Sequence, residues 1–178
     1  GSSGNRMAAS RMESRRSVTN PVSHTEAREL ELALRLLKRV FRYDADGMMN
    51  RERYNELYPL LVALVPRVAS ERGDVHRLFV DAVGELMVCV SNDAWWKPFN
   101  FELLMQTRSP NPAIRLVVVE VLIRLYALLE SDYLILLPET VPFLAELTED
   151  DDSDVERKTA ELVKMIEAVL GHSLSKYW

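Results

Sequence analysis

The chain has 178 residues, 48% of them hydrophobic and 28% charged, with a formal charge of −5 at neutral pH. That make-up belongs to a folded soluble protein and not to a disordered one. No apolar run approaches the roughly 20 residues that cross a bilayer, and an acidic balance argues against broad phosphate-backbone binding, which needs a basic surface.

Gly1-Ser2-Ser3-Gly4 reads as a tag remnant and stays out of fold reasoning. Residues 1–22 carry Arg6, Arg11, Arg15 and Arg16 against Glu13, a net of +3, so the remainder carries −8 to make the total of −5. Arg11, Arg15 and Arg16 are the candidate RNA contacts of a flexible basic tail. The folded domain is expected over 23–178. No apolar signal-peptide core opens the chain, so secretion is not expected. Cys89 is the sole cysteine, which excludes an intrachain disulfide and fits a reducing compartment.

Ser23 and Glu26 form a capping box that should open the first helix, which runs to about Phe41 and stops at Tyr43-Asp44-Ala45-Asp46-Gly47. A second helical region from about Arg51 to Ser70 contains Pro59 and Pro66, so a kink or a break is expected there. A helix from Asp74 to about Val90 follows, then a loop through Asp93 and a shorter helix carrying Phe101, Leu103, Leu104 and Met105. The helix from Pro112 to Leu129 is apolar nearly all round, which suits the middle of a stack. Asn111 and Pro112 mark its start as cap and first-turn proline. Residues 134–163 hold a helix, an acidic turn and a second helix, with Ser153 and Glu156 read as another capping box. Gly171 should end the last helix, and Leu174, Tyr177 and Trp178 are placed to fold back over the end. The β-branched run 117–121 lies within a long helical period, so no strand is expected.

The helices repeat. Val75, Phe79 and Val83 step by four, as do Ile114, Val118 and Leu122, and again Val155, Thr159 and Val163. The starts lie 39 and 41 residues apart, close to the roughly 40–47 of HEAT-type repeats. One helical hairpin cannot bury two apolar stripes, so stacked copies are required. The expected fold is all-α, an α-solenoid of about four HEAT-like antiparallel helical hairpins, the first one irregular.

The chemistry-bearing residues do not converge. Asp44 and Asp46 before Gly47 resemble part of a calcium loop, but that register puts Arg42 and Arg53 where acidic ligands belong. The acidic run from Glu149 to Glu156 lies where a helix dipole favours negative charge, as a solvated capping turn would. His24, His76 and His172 show no zinc spacing. Cys89 falls on a buried helix face and reads as a small core residue. Neither a phosphate-binding loop nor a nucleophile elbow is present. No catalytic residue, cofactor or metal site, small-molecule substrate or membrane contact is expected. Trp95 and Trp96 point about 100° apart on a helix, so one should be buried and the other partly exposed. Trp95, Trp96, Tyr177 and Trp178 are the candidate protein-binding surface, because exposed aromatics anchor interfaces. Arg51, Arg53, Arg67 and Arg77 offer an alternative ridge for RNA.

Three blocks carry a resemblance: FRYDADGMMNRERYNELYPLLVALV (41–65), SNDAWWKPFNFELLMQTRSPNPAIR (91–115) and LILLPETVPFLAEL (134–147). Together with the closing GHSLSKYW they resemble the C-terminal region of the HEAT-repeat-containing protein 1 family. These are very large α-solenoids also described as the tenth protein associated with the U-three small nucleolar RNA. The resemblance implies a nucleolar, non-catalytic scaffold of the small-subunit processome. It implies partners among other processome proteins, including β-propeller subunits, with pre-ribosomal RNA touched directly or indirectly. It further implies a role in 18S ribosomal RNA maturation linked to RNA polymerase I transcription. One departure is visible. The arginine favoured after the Val/Ile of each second helix is present as Arg115, while His76 and Glu156 stand at the other two places, so an arginine ladder should be incomplete.

Overall fold

A computed structural model of the protein describes residues 21–71 and 74–177. Among these are seven α-helices and no strand: α1 (Pro21–Arg42), α2 (Arg51–Ser70), α3 (Val75–Val90), α4 (Asp93–Met105), α5 (Pro112–Leu129), α6 (Leu137–Thr148) and α7 (Ser153–Leu170). Short 3-10 turns occupy Gln106–Arg108, Glu130–Leu136 and Leu174–Lys176.

The helices form two layers. Helices α1, α3, α5 and α7 pack successively in one, and α2, α4 and α6 form the other. The repeating unit is therefore a pair: α2 with α3, α4 with α5, α6 with α7. The irregular first pair is represented by α1 alone. This is an all-α, HEAT-like solenoid. Helix α5 lies at its centre, against α3, α7 and α2, and buries Val117, Val118, Val119, Val121, Leu122, Leu125 and Tyr126. Gly84 of α3 lets that helix approach α5 closely, since a Cβ there would stand 2.7 Å from Leu128 Cδ1.

Side-chain caps set the helix starts. Asn50 accepts from Arg53 N–H at 3.0 Å, Asn92 from Trp95 N–H at 3.2 Å and Asn111 from Ala113 N–H at 3.0 Å. Two expected starts differ. Helix α1 is already formed at Pro21, so the Ser23–Glu26 box does not open it. Helix α7 is capped by Asp152, whose carboxylate accepts from the N–H groups of Asp154 and Val155. The Ser153–Glu156 pattern sits one residue late, because a carboxylate facing two free N–H groups at the positive end of a helix is the stronger acceptor.

Helix α2 also differs from expectation. It runs unbroken through Pro59 and Pro66. Each proline withholds one hydrogen bond, but Tyr54, Leu61, Val62, Val65 and Val68 are buried on both sides of them, and that packing holds the helix together.

The helix ends repeat as the starts do. Helices α3, α5 and α7 finish at Ser91 (φ 39°), Glu130 (φ 47°) and Gly171 (φ 80°), all with positive φ. Their spacing, 39 and 41 residues, is that of the buried stripes. Glycine adopts such angles freely and a side chain does so at a cost. Glu130, at φ 47° and ψ −123°, is the most strained of the three. Glu130→Gly is expected to stabilise the fold by about 1 kcal/mol, raising the melting temperature by roughly 2–4 °C in a calorimetric scan.

Candidate protein-binding surface

The two tryptophans separate as adjacent helical residues should. Trp96 is 3% exposed and donates its indole N–H to Met87 O at 2.9 Å, tying the start of α4 to the end of α3. Its ring lies 5.8 Å from that of Tyr133, so little of it is left for a partner. Trp95 stays partly exposed, its ring 5.5 Å from Tyr54, whose buried hydroxyl donates to Trp95 O at 2.7 Å. Burial of Tyr54 pushes its hydroxyl pKa well above the usual phenol value, with Tyr58 and Glu102 adding to the effect. It is therefore a permanent donor. Tyr177 is half exposed, beside the His172 ring. Leu174 folds back and is buried, its N–H held by Glu167 at 2.8 Å. Trp178 lies outside the described residues.

Beneath this surface is a polar network that no local sequence pattern announces. Tyr133 donates to Asn100 Oδ1 at 3.0 Å, Asn100 Nδ2 lies 3.5 Å from Thr140 Oγ1, and Thr140 donates to Leu136 O at 2.9 Å. All three side chains are fully buried. Tyr126 stands edge-on to Tyr133 at 5.1 Å, and burial pushes its hydroxyl up to about 12. Buried polar groups of this kind are costly unless partnered, so the network sets the register between α4, the turn after α5, and α6.

The basic residues are largely engaged. Arg67 lies between Glu26 and Glu71, Arg77 beside Asp74, and Arg53 on Met48 O. Arg51 is exposed. Arg11, Arg15 and Arg16 lie outside the described residues. Charges also bridge the successive helices. Lys38 and Arg124 both reach Asp81, Arg42 reaches Glu85, and His76 meets Glu120. The contact with His76 lowers the Glu120 carboxyl despite burial. His76 thus supplies a contact between helices at one of the two places where the motif arginine is missing.

The acidic turn has a structural role. Arg115, 8% exposed, donates to Asp150 at 2.6 and 2.8 Å, to Asp151 at 2.7 Å and to Ser109 O at 2.9 Å. Burial pushes the Asp150 carboxyl up, but Arg115 and the Asp152 N–H together bring it below the usual carboxylate value. Asp44 acts similarly between α1 and α2. It accepts from the N–H groups of Met49 and Met48 at 2.8 and 2.7 Å, and this holds its carboxyl low. Cys89 Sγ lies 3.5 Å from the same carboxylate. Burial first and Asp44 second push the thiol up to about 11, so it is protonated at neutral pH and a poor nucleophile. No cluster of three metal-ligating side chains occurs among the described residues. The side chain of His24 lies outside them. No described helix is long and apolar enough to cross a membrane.

Stacked helix pairs with partly exposed outer faces define the class, a HEAT-type α-solenoid. No family model matches the chain. HEAT repeat-containing protein 1 from Homo sapiens is 31% identical over 153 residues, covering 84% of this chain and 7% of that protein. The homolog from Drosophila melanogaster is 33% identical over 175 residues, 95% of this chain and 8% of the relative. U3 small nucleolar RNA-associated protein 10 from Schizosaccharomyces pombe is 36% identical over 123 residues, 69% of this chain and 7% of the relative. The chain thus spans under a tenth of the length of these curated relatives. It belongs to the HEAT repeat-containing protein 1 family, whose C-terminal region it matches.

Arg115→Ala leaves the buried Asp150 carboxylate unpaired. It is expected to cost about 3 kcal/mol near pH 7 by urea unfolding. Asp150 titrates low in the folded state, so its stabilisation is present above the unfolded value near 3.9 and disappears as pH falls through the lower folded value. The gap between wild type and variant should therefore hold at neutral pH and narrow below about pH 4.

Proposed function

We propose that this chain is a non-catalytic scaffold domain of a ribosome-biogenesis factor, acting in the nucleolus within the small-subunit processome. It occupies 23–178, preceded by the basic segment 1–22. In this reading the whole protein supports pre-18S ribosomal RNA processing and is linked to RNA polymerase I transcription, and other processome proteins, β-propeller subunits among them, dock on it. The names of the relatives support the setting: HEAT repeat-containing protein 1 and U3 small nucleolar RNA-associated protein 10.

The observation that favours protein docking over direct RNA contact is the state of the charges. Two of the four arginines on the candidate RNA ridge, Arg67 and Arg77, already face carboxylates of this chain. The residues after 22 carry −8. Phosphate binding needs cations free to displace counterions. Trp95 and Tyr177, with Trp178 beyond the described residues, remain the aromatic candidates for protein contact.

The test is a titration of the purified chain with RNA from the 5′ external transcribed spacer at two salt concentrations. The expected result is weak binding with a shallow salt slope. Tight binding that falls steeply with salt, and is lost when Arg11, Arg15 and Arg16 are changed to alanine, would assign direct RNA contact to the basic head instead.

A further inference from the structure

Helix α1 ends the row of α1, α3, α5 and α7, and α3 is the helix packed against it. Leu30, Leu34, Leu37 and Phe41 of α1 turn into the core. On the opposite side Glu29, Leu32, Leu36, Arg39 and Tyr43 step by three, four, three and four, which sets them on one straight seam. Leu32 is 66% exposed, Leu36 63% and Tyr43 71%. Glu29 and Arg39 are exposed as well. The outer side of a surface helix is ordinarily polar, so two leucines one turn apart in the middle of it call for a cover.

The order of the seam selects the cover, because the seam is its own complement when reversed. In two antiparallel copies related by a two-fold axis level with position 34, residues equally far from that position face each other. Leu32 then meets the partner's Leu36 and Glu29 the partner's Arg39, and each contact occurs twice. Parallel packing would instead set Glu29 on Glu29 and Arg39 on Arg39, a like-charge contact at each end. Both charges are available. Among the described residues neither Glu29 nor Arg39 stands in an ion pair, whereas Arg35 meets Glu31 and Asp74, Arg42 meets Glu85 and Glu26 meets Arg67. Arg35 and Arg42 edge the seam, and those carboxylates offset their repulsion across the axis. Arg28 comes level with the partner's Arg42, whose charge Glu85 already balances.

We infer that the outer side of α1 pairs with the same side of a second copy of this chain, antiparallel, as a two-fold dimer. The seam from Glu29 to Tyr43 is about 21 Å long, with two leucines per copy at its centre. That is less than a permanent dimer buries, so the contact is reversible, with a dissociation constant on the order of 10–100 µM. The inference concerns a face that the docking-scaffold reading leaves unassigned.

Sedimentation equilibrium of the full chain over about 1–500 µM, a range that brackets that constant, is expected to show monomer passing to dimer. Leu32→Glu with Leu36→Glu should weaken association at least about tenfold and leave circular dichroism and melting temperature unchanged, since both side chains lie outside the core. Phe101→Glu, on an exposed residue of α4, should leave association intact. The charges test the orientation. Glu29→Arg alone and Arg39→Glu alone each bring like charges together at both ends, and each should weaken dimerisation about tenfold. Mixed in equal amounts, the two variants should associate again, because each supplies the charge that the other's seam lacks. A chain that stays monomeric over the whole range overturns the inference and leaves the seam to a different partner. So does a dimer indifferent to the two leucines, or one that the charge variants weaken and their mixture does not restore. None of these outcomes bears on the RNA titration, which tests the scaffold reading separately.

Discussion

Everything in this fold depends on one helix that must be covered on most of its circumference. Helix α5 is apolar apart from a narrow side carrying Glu120 and Arg124, and nine of its residues are buried. Helix α3 covers it from one neighbouring pair and α7 from the other, while α2 lies across it from the second layer. Each α5 side chain fully withdrawn from water contributes about 1.5–3 kcal/mol, and the surrounding helices share that stabilisation.

The charged and polar residues serve mainly to hold neighbouring pairs in register. Arg115 joins the turn before α5 to the turn before α7. Trp96 joins α4 to the end of α3, and Asn100, Tyr133 and Thr140 join α4 to the turn after α5 and to α6. None of these groups is arranged to perform chemistry. They hold fixed distances between layers, so the outer helix faces stay in constant relative positions. For a scaffold, that constancy is the useful property.

Much of this was legible in the residues. The steps of four at 75, 114 and 155 marked the repeat and the central place of α5, and Asn111-Pro112 and Gly171 marked helix ends where they occur. Periodicity reports which face is buried but not the element that lies against it. The apolar residues of α4 therefore carried no assignment to a face, and the helix buries Leu103 and Leu104 while it turns Phe101 and Met105 outward. The caps at Asp152 and Ser153 differ by one residue, and only the backbone shows which side chain meets the free N–H groups. Long-range polar contacts such as Tyr54 to Trp95 and Lys38 to Asp81 leave no local pattern to read. Charge pairing was partly readable: Arg67–Glu71 and Arg77–Asp74 lie four and three residues apart, while Arg67–Glu26 crosses to the preceding helix.

The bridges between successive helices have a mechanical meaning. Lys38 and Asp81 cross the α1–α3 boundary, and Asp81 and Arg124 the α3–α5 boundary, while still partly wetted. Ion pairs of that exposure hold with about 1 kcal/mol or less, and salt damps them over roughly 8 Å. Those two boundaries are thus oily contacts laced by weak, exchangeable ties, whereas the α5–α7 boundary is closed by the buried Arg115–Asp150 pair. Rising salt therefore loosens the ties of the first two joints and leaves the register of the third in place.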